Sequence, residues 1–512
     1  MTTEIPNVLF ITADDWRGDC LSALGHPCVK TPNVDRLAAE AVLFRNHFAQ
    51  ASPCGPSRAS MYTGLYPQNH RSVRNGTPLD ARHTNLALEM RKAGYDPSLV
   101  GYTDTSADPR LYPPGHPALT TYEGLLPGFR PKLLLVEPYT PWLEYLAAKG
   151  YDVPRNWFDV YRPVPNYPGA RGRGPTYPPP CYRAEDSDTA FATDTAIAYL
   201  SEQDDRRWFL HVSYLRPHPP FVVPEPYNRM YDPEDVPPPR GAPSLDEEAR
   251  QHPWLAYRLT QSRKAAEMSE SDLKQLKATY FGMVSEVDHQ IGRLLAHLRE
   301  LGQYDDTLIV VTSDHGEQLG DHRLIGKEAY FDASFHVPLV IRAPGVPSEA
   351  RGRQVDAFTE AIDLMPTILD LVGAEIPLQC DGASLRPFLF GETPSHWRAE
   401  VHWEYDFRDV GGAAPEKALG IGLDECTLNV IRDRRYKYVH FTALPPLFFD
   451  LEKDPDELTS LAEDPAYTGL VLRYAQRMLS WRMRHDERTL TGIHLGPDGL
   501  VERPRAARAP MP

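Results

Sequence analysis

Two pairs of polar residues directly follow short apolar runs that are typical of buried parallel strands. Asp14 and Asp15 follow the first such run, and Asp314 and His315 follow another. The carboxyl ends of parallel strands lie at the sheet edge where such folds bind ligands. Carboxylates together with one imidazole suit a single divalent cation, so these four residues are candidate metal ligands. Asp14 and Asp15 considered alone could equally form a turn or a helix cap.

A second group of residues suited to chemistry is the pentapeptide Cys54-Gly55-Pro56-Ser57-Arg58. It resembles the motif of the sulfatase family, in which the cysteine is oxidised after synthesis to formylglycine. The aldehyde hydrates to a geminal diol. One hydroxyl then attacks an ester of sulfur or phosphorus, and the other expels the product as the aldehyde re-forms. The alternative is a buried thiol at the start of a helix, because free cysteine is commonly buried.

The resemblance to sulfatases extends over nearly the whole chain. It is carried by the segments 7–15, 31–38, 283–295, 314–322 and 448–457. Within the alkaline phosphatase superfamily, the chain also resembles the phosphonate monoester hydrolase branch, which shares the formylglycine.

Three positions depart from one or the other pattern. His315 stands where sulfatases usually carry asparagine, and the segment after Gly101-Tyr102-Thr103 lacks the Gly-Lys-Trp-His-like run of many sulfatases. Asp15 is sulfatase-like, since the phosphonate branch tends to carry an amide there. The sequence therefore lies between the two groups.

The resemblance implies that the modified Cys54 completes the metal shell formed by Asp14, Asp15, Asp314 and His315. A metal ion in that shell would hold the nucleophilic oxygen and lower its pKa. The nitrogen ligand favours Mn²⁺, whereas the carboxylates and the likeness to sulfatases allow Ca²⁺.

Three further residues have implied catalytic roles. Arg58, about one helical turn from Cys54, could orient the diol and neutralise charge. His218 matches a family histidine near the substrate oxygens, and it could act as a base or as a hydrogen-bond donor. Lys327 matches a family lysine that contacts the transferred group. A surface histidine and a solvated lysine are the alternative interpretations.

Other polar residues near these motifs receive less specific predictions. Asn75 and Tyr102 match substrate-binding positions of the phosphonate branch. Asp104 lies close to Tyr102 in sequence, and its acidic side chain would repel an anionic substrate. Asp288 and the histidine after it lie in the middle of a predicted helix, and a structural role is expected for them.

The elements that must position these residues alternate between strands and helices. Helices are predicted at 32–41, 83–93, 187–203 and 270–301, and strands at 7–13, 207–214, 307–313 and 337–342. This alternation predicts an α/β fold with a mostly parallel central sheet and helices on both faces, as in alkaline phosphatase-like proteins. Short strands at 399–404, 427–432 and 436–441 before a final helix predict a small C-terminal α+β subdomain. We therefore divide the chain into a catalytic domain, 1–390, and a C-terminal subdomain, 391–512.

Proline is unusually frequent, with 51 residues, and it is concentrated in 163–180 and 217–243. Because proline is excluded from the interiors of helices and strands, these segments are predicted loops. They could be linkers, but we favour loops that form the walls of the active site and reach a neighbouring subunit.

Composition limits the classes of partner. The net charge of −16 argues against nucleic acid and anionic membranes, and no apolar run approaches the ~20 residues that span a bilayer. Residues 1–6 lack a basic region, and the six cysteines show no disulfide pattern, so a cytoplasmic protein is expected. The expected partners are a small anionic ester, an enzyme that converts Cys54 to formylglycine, and further copies of the chain in a dimer or tetramer.

Three functions remain open on the sequence alone. The first is hydrolysis of sulfate monoesters, aryl sulfates above all, by a metal-bound formylglycine of broad specificity. The second is hydrolysis of phosphonate monoesters or phosphodiesters at the same site. The third is a catalytically silent relative that only binds a metal or an anion. The metal-shell carboxylate of Asp15 favours the first.

Overall fold

An eight-stranded sheet occupies the centre of the computed structural model, which describes residues 6–203, 207–262 and 266–502. Its strands are β1 (Asn7–Ala13), β2 (Val42–Phe48), β3 (Ser98–Gly101), β4 (Arg130–Leu134), β5 (Phe209–Tyr214), β6 (Thr307–Thr312), β7 (His336–Arg342) and β8 (Arg353–Glu360). They lie in the order β4-β3-β5-β1-β6-β7-β2-β8. Only β7 runs antiparallel to its neighbours, so the prediction of a mostly parallel sheet is confirmed.

Helices cover both faces of this sheet. They are α1 (Pro32–Glu40), α2 (Cys54–Thr63), α3 (Pro67–His70), α4 (Leu86–Lys92), α5 (Thr140–Ala148), α6 (Asp188–Ser201), α7 (Leu245–Arg250), α8 (Pro253–Gln261), α9 (Glu270–Glu300), α10 (Asp332–Phe335), α11 (Leu364–Leu371) and α12 (Arg386–Leu389). Among the described residues, none of the helices combines the length and apolarity needed to cross a bilayer.

The central strand β1 is apolar except for Asn7 and Thr12. Successive side chains of a strand point to opposite faces of the sheet. Leu9 and Ile11 pack into a core cluster with α9 on one face, and Val8 and Phe10 pack into a second cluster with α2 and α4 on the other. Both faces are therefore buried, which explains the nearly continuous apolar run, and the buried Thr12 donates a hydrogen bond to Ser213 Oγ at 3.2 Å.

The C-terminal part has a smaller sheet, in which β9 (Glu400–Asp406), β10 (Thr427–Asp433), β11 (Tyr436–Phe441) and β12 (Leu447–Asp450) are all antiparallel. Helix α13 (Ala414–Leu419) lies within it in sequence, and α14 (Thr468–His485) packs on it through Tyr474 and Met478. A hairpin of β13 (Ile493–Gly496) and β14 (Gly499–Glu502) follows. The predicted small C-terminal α+β unit is thus present, while its boundary at residue 390 stays a prediction.

The two sheets share one hydrophobic cluster. Phe48 of β2 stacks on Trp403 of β9 at a ring-centroid distance of 5.7 Å, and Phe335 stacks on the same indole. The proline-rich segments 163–180 and 217–243 contain no helix or strand beyond short 3-10 turns, as predicted.

The start of α1 is capped by a residue of another helix. The Thr31 side chain makes no capping hydrogen bond to the helix. Instead, the Asp288 carboxylate, projecting from α9, accepts hydrogen bonds from the backbone N–H groups of Asn33 and Val34 at 2.8–3.2 Å. An acidic group at a helix N-terminus interacts favourably with the helix dipole, so Asp288 joins two helices. This is the structural role expected for it.

Candidate active site

The carboxyl ends of β1 and β6 bring the two predicted pairs of ligands together. These strands are neighbours in the sheet, with Thr12 opposite Thr312. The Asp15 backbone N–H lies 3.4 Å from Asp314 Oδ1, and all four residues that follow the two strands are buried. The expectation that both strand ends meet at one edge holds for this pair.

Cys54 enters the same site from the first turn of α2. Its Sγ lies 3.2 Å from His315 Nε2 and 3.7 Å from Asp14 Oδ1. Asp14, Cys54, Asp314 and His315 each offer one ligand atom, and these atoms lie within 4.8 Å of one another. The structure therefore brings four of the five predicted ligands into one buried group.

Asp15 lies on the far side of the His315 ring from Cys54. Its Oδ1 is 2.9 Å from His315 Nδ1, and its carboxylate forms a second potential metal group with Asp14 and His218. Asp15 Oδ1 is buried, and it has no partner in hydrogen-bond geometry among the described residues. Such an oxygen is available to a metal ion or to an oriented His315 N–H.

The charges of this group fit a cation. Burial opposes protonation of His315, yet Asp314 and Asp15 raise its pKa well above the ordinary value. Burial likewise opposes ionisation of Asp14, yet His218, Lys327 and His315 lower its pKa. The carboxylates of Asp14, Asp15 and Asp314 are all buried here. A divalent cation at the ligand atoms would supply the positive charge that they lack.

Arg58 contacts the carboxylates rather than Cys54. Its Nε donates to Asp314 Oδ2 at 2.8 Å, and its Nη2 donates to Asp14 Oδ2 at 3.2 Å. Its Nη1 donates to Ser213 Oγ at 2.8 Å and to the Tyr102 carbonyl at 3.3 Å. The guanidinium is fully buried. The structure places the contacts of Arg58 on the candidate ligands, and both roles predicted for it stay predictions.

Asn75 and Tyr102 lie beside the site, and both bond to protein groups. The Tyr102 hydroxyl donates to Asp14 Oδ2, and the Arg58 guanidinium lies 4.3 Å from the centre of its ring. Asn75 Oδ1 accepts the backbone N–H of Gly55 at 2.8 Å. Substrate contact by either residue stays a prediction.

His218 and Lys327 approach from the opposite side, through Asp15. Lys327 Nζ donates to Asp15 Oδ2 at 3.2 Å, and His218 Nε2 lies 3.8 Å from the same oxygen. Burial lowers the pKa of His218, so its ring is neutral near neutrality. Burial disfavours the charge of Lys327, yet Asp15 and Cys54 raise its pKa well above the usual value, so it stays charged.

An unmodified thiol at position 54 is poorly suited to nucleophilic attack. Burial and the neighbouring Asp14 raise the pKa of Cys54 to about 12. The thiolate is the reactive form of cysteine, and reactive cysteines have lowered pKa values. The site therefore favours a group other than the thiol as the nucleophile.

Sequence reasoning missed several residues that hold this arrangement. Ser57 donates its hydroxyl to the Asp314 carbonyl, and Tyr280 donates its hydroxyl to the Asp15 carbonyl at 2.6 Å. Glu317 Oε1 accepts the backbone N–H groups of Leu319 and Gly326, which shapes the loop leading to Lys327. Ser57 lies in the pentapeptide and Glu317 in the segment 314–322, so the predicted motifs could have pointed to both. Tyr280 is brought to the site only by tertiary packing.

Comparison with known proteins agrees with these features. The profile of the Sulfatase family matches residues 6–374, and a profile described as N-sulphoglucosamine sulphohydrolase, C-terminal, matches residues 320–484. The multifunctional alkaline phosphatase superfamily protein PehA of Trinickia caryophylli is 46% identical, covering 97% of this chain and 99% of that protein. An arylsulfatase of Clostridium perfringens is 31% identical, covering 90% and 91%.

A solved structure is similar along its full length. The phosphonate monoester hydrolase of Agrobacterium radiobacter superposes with a TM-score of 0.92 at 48% identity, covering 98% of this chain and 100% of that one. The match of the Sulfatase profile includes β1, α2 and β6, which carry the buried group around Cys54. The chain therefore belongs to the sulfatase family of the alkaline phosphatase superfamily, a family of hydrolases whose membership implies a metal ion and a formylglycine.

Proposed function

We propose that this protein hydrolyses esters that carry one negative charge, with phosphonate monoesters and phosphodiesters as its preferred substrates and aryl sulfates as weaker ones. The observation that carries hydrolysis is the position of Cys54, whose Sγ faces Asp14 and His315 at the end of two parallel strands. The preference for phosphonate monoesters and phosphodiesters rests on sequence identity with known proteins. The phosphonate monoester hydrolase shares 48% of its residues with this chain, against 31% for the arylsulfatase. This reverses the order that Asp15 favoured in the sequence.

The metal is assigned to Asp14, Asp314, His315 and the oxygen derived from Cys54, with Asp15 as the further predicted ligand. A bound divalent cation would polarise the ester and lower the pKa of the nucleophilic hydroxyl. We propose Mn²⁺, because an imidazole in the set suits a transition metal, with Ca²⁺ as the alternative for the carboxylates.

Burial of Cys54 constrains its modification. The residue is 5% exposed, so an enzyme that oxidises its side chain has no access to it in the folded protein. We infer that the maturation enzyme acts on the chain before it folds. The predicted cytoplasmic location and homo-oligomeric state stay predictions.

His218 is suited to accept a proton. Its Nδ1 donates to the Pro219 carbonyl at 2.6 Å, which leaves the lone pair of the neutral ring on Nε2. Nε2 is the atom that faces Asp15. It can therefore take a proton from the second hydroxyl of the hydrated aldehyde, which frees the enzyme from the product.

Lys327 is suited to stabilise charge on the ester. Its ammonium is held by Asp15 in a largely buried position next to the candidate metal group. Negative charge that develops on the transferred group would meet a fixed positive charge in a site with little water.

Two measurements test this function. Peptide mass spectrometry should find an aldehyde at position 54 in active protein. Values of kcat/KM for aryl esters with one leaving group should rank phosphonate monoester and phosphodiester above sulfate. Cys54→Ala should lower kcat by several orders of magnitude. The matched control is Cys181→Ala, because Cys181 is exposed and lies outside the site. Full activity with an unmodified thiol would exclude the proposed nucleophile, and a higher value for sulfate would restore the sulfatase assignment.

A further inference from the structure

Asp104 lies beside the nucleophile and has no part in the hydrolysis described above. It follows β3, whose carboxyl end is at the same sheet edge as those of β1 and β6. A Cβ atom placed on Gly55 would come within 3.3 Å of the Asp104 carbonyl oxygen. The chain at Asp104 therefore crosses the first turn of α2, next to Cys54.

One oxygen of the Asp104 carboxyl group, Oδ1, is buried without a partner among the described residues. The residue is 4% exposed, and its Oδ1 accepts no hydrogen bond from any described residue. A buried polar atom without a hydrogen bond is costly, and it calls for an explanation such as a ligand. Its backbone lies next to Gly55, so an ester held at Cys54 would come close to the charge of this residue.

The backbone holds Asp104 in place. Its φ of +47° lies in the left-handed region, which aspartate and asparagine tolerate better than most residues. On one side, Thr103 Oγ1 donates to the Gly124 carbonyl at 3.0 Å. On the other, the Thr105 N–H donates to the same carbonyl at 3.1 Å. Both neighbours are held by hydrogen bonds to the same carbonyl, which fixes the backbone that carries the carboxyl.

Charged groups of the site act on Asp104. Burial raises its pKa to about 7, against the effect of the Arg58 guanidinium, and Asp14 and Asp314 add to the increase. Lys327 also acts on it, in the opposite sense. A pKa of about 7 means that Asp104 is ionised in mildly alkaline solution.

The charge of Asp104 changes the net charge that the site offers to a substrate. The carboxylates of Asp14, Asp15 and Asp314 face the cations of Arg58 and Lys327. With His315 neutral as a ligand and the nucleophile still a neutral hydroxyl, a divalent cation at the ligand atoms would leave one net positive charge for the substrate. An ionised Asp104 cancels that charge, so a second negative charge on the substrate has no counterpart.

We propose that Asp104 determines which substrate charge the site accepts, by disfavouring phosphate monoesters with two negative charges relative to phosphonate monoesters and phosphodiesters with one. The proposal rests on the proposed function and deepens it. Asp104 acts here as a specificity residue and takes no part in bond making or breaking.

The test compares the wild type with Asp104→Asn and Asp104→Gly at about pH 8.5, above the pKa of the carboxyl. Both replacements tolerate the left-handed backbone, and both remove the charge. The substrates are p-nitrophenyl phosphate, p-nitrophenyl phenylphosphonate and bis(p-nitrophenyl) phosphate. The control is Asp424→Asn, which makes the same change in net charge at a side chain that is 93% exposed.

In both Asp104 variants, kcat/KM for the phosphate monoester should rise about tenfold or more relative to the two monoanionic esters, because a nearby unit charge has been removed. The ratio should not change in Asp424→Asn. An unchanged ratio in the Asp104 variants, or an equal loss with all three substrates, would overturn the proposal.

A binding measurement separates this proposal from the proposed function. The Kd of inorganic phosphate, a dianion at this pH, should fall about tenfold in both Asp104 variants by calorimetry of the metal-loaded protein. An unchanged Kd would overturn the charge role even if all the esters are hydrolysed. If the wild type hydrolyses none of the monoanionic esters, the proposed function fails, and the phosphate Kd still decides the role of Asp104.

Discussion

Replacing Arg58 with methionine should destabilise the protein far more without metal than with it. Methionine keeps much of the length of the side chain and removes its charge and all of its donors. The lost contacts are those to Asp14, Asp314, Ser213 and the Tyr102 carbonyl. Since Asp14 and Asp314 are 1% and 0% exposed, water cannot replace the lost donors.

The expected loss of folding stability in Arg58→Met follows from these contacts. Removing one partner of a buried ion pair costs about 3–5 kcal/mol, because the remaining charge stays buried. Two carboxylates lose a partner here, so we expect the upper part of that range in chelator. A divalent cation neutralises the same carboxylates, and it repels the Arg58 guanidinium. Saturating Mn²⁺ should therefore recover a substantial part of the loss.

The assay is urea unfolding of wild type and Arg58→Met, each in chelator and in Mn²⁺. Arg398→Met is the matched control. Its guanidinium is also largely buried, and its partners Glu360 and Asp363 lie outside the candidate metal group. The loss in this control should be the same in both buffers. The reasoning is refuted if Arg58→Met loses as much stability in Mn²⁺ as in chelator.

The remaining predictions concern ligation, charge and pH. Asp314→Ala should lose bound metal and activity together, measured by elemental analysis and kcat. Lys327→Ala should lower kcat/KM for phosphonate and sulfate esters alike, since it removes one charge from their shared transition state. Asp15→Asn should shift the ratio of the two activities against sulfate. Glu286 is buried, and burial raises its pKa from 4.5 to about 8. The folded protein therefore holds a proton that the unfolded chain loses, so stability should fall by about 1.4 kcal/mol per pH unit between these values. Urea unfolding of Glu286→Gln should lack this slope.

The strands of the central sheet that the sequence predicted are buried on both faces. β1, β5, β6 and β7 are mostly apolar, and they occupy the middle of the sheet. Four strands escaped prediction. β4 and β8 are the edge strands and carry exposed charged residues, β3 has only four residues, and the apolar run of β2 is interrupted by Arg45, Asn46 and His47. An edge strand has solvent on one side, so its sequence lacks the continuous apolar run.

The candidate site also contains residues that local sequence patterns predict and residues whose contacts only the fold reveals. Strand ends and the pentapeptide are local patterns of a few adjacent residues, and such patterns are enough to predict the group around Cys54. The contacts of Tyr102 with Asp14 and of Asn75 with Gly55 join residues that are 88 and 20 positions apart. No local pattern encodes such distances, so the resemblance assigned these residues to the substrate, and their contacts with protein groups emerged only from the fold.

Arg58 shows how helix geometry decides between two interpretations of one spacing. Residues four apart lie on the same face of a helix, and their side chains point back toward its N-terminus. Cys54 is the first residue of α2, so Arg58 reaches back beneath it to the ends of β1 and β6, where Asp14 and Asp314 lie. One face of one helix thus carries both the proposed nucleophile and the cation that holds two candidate ligands. A shift of α2 along its axis would therefore disturb Cys54 and the candidate metal group together.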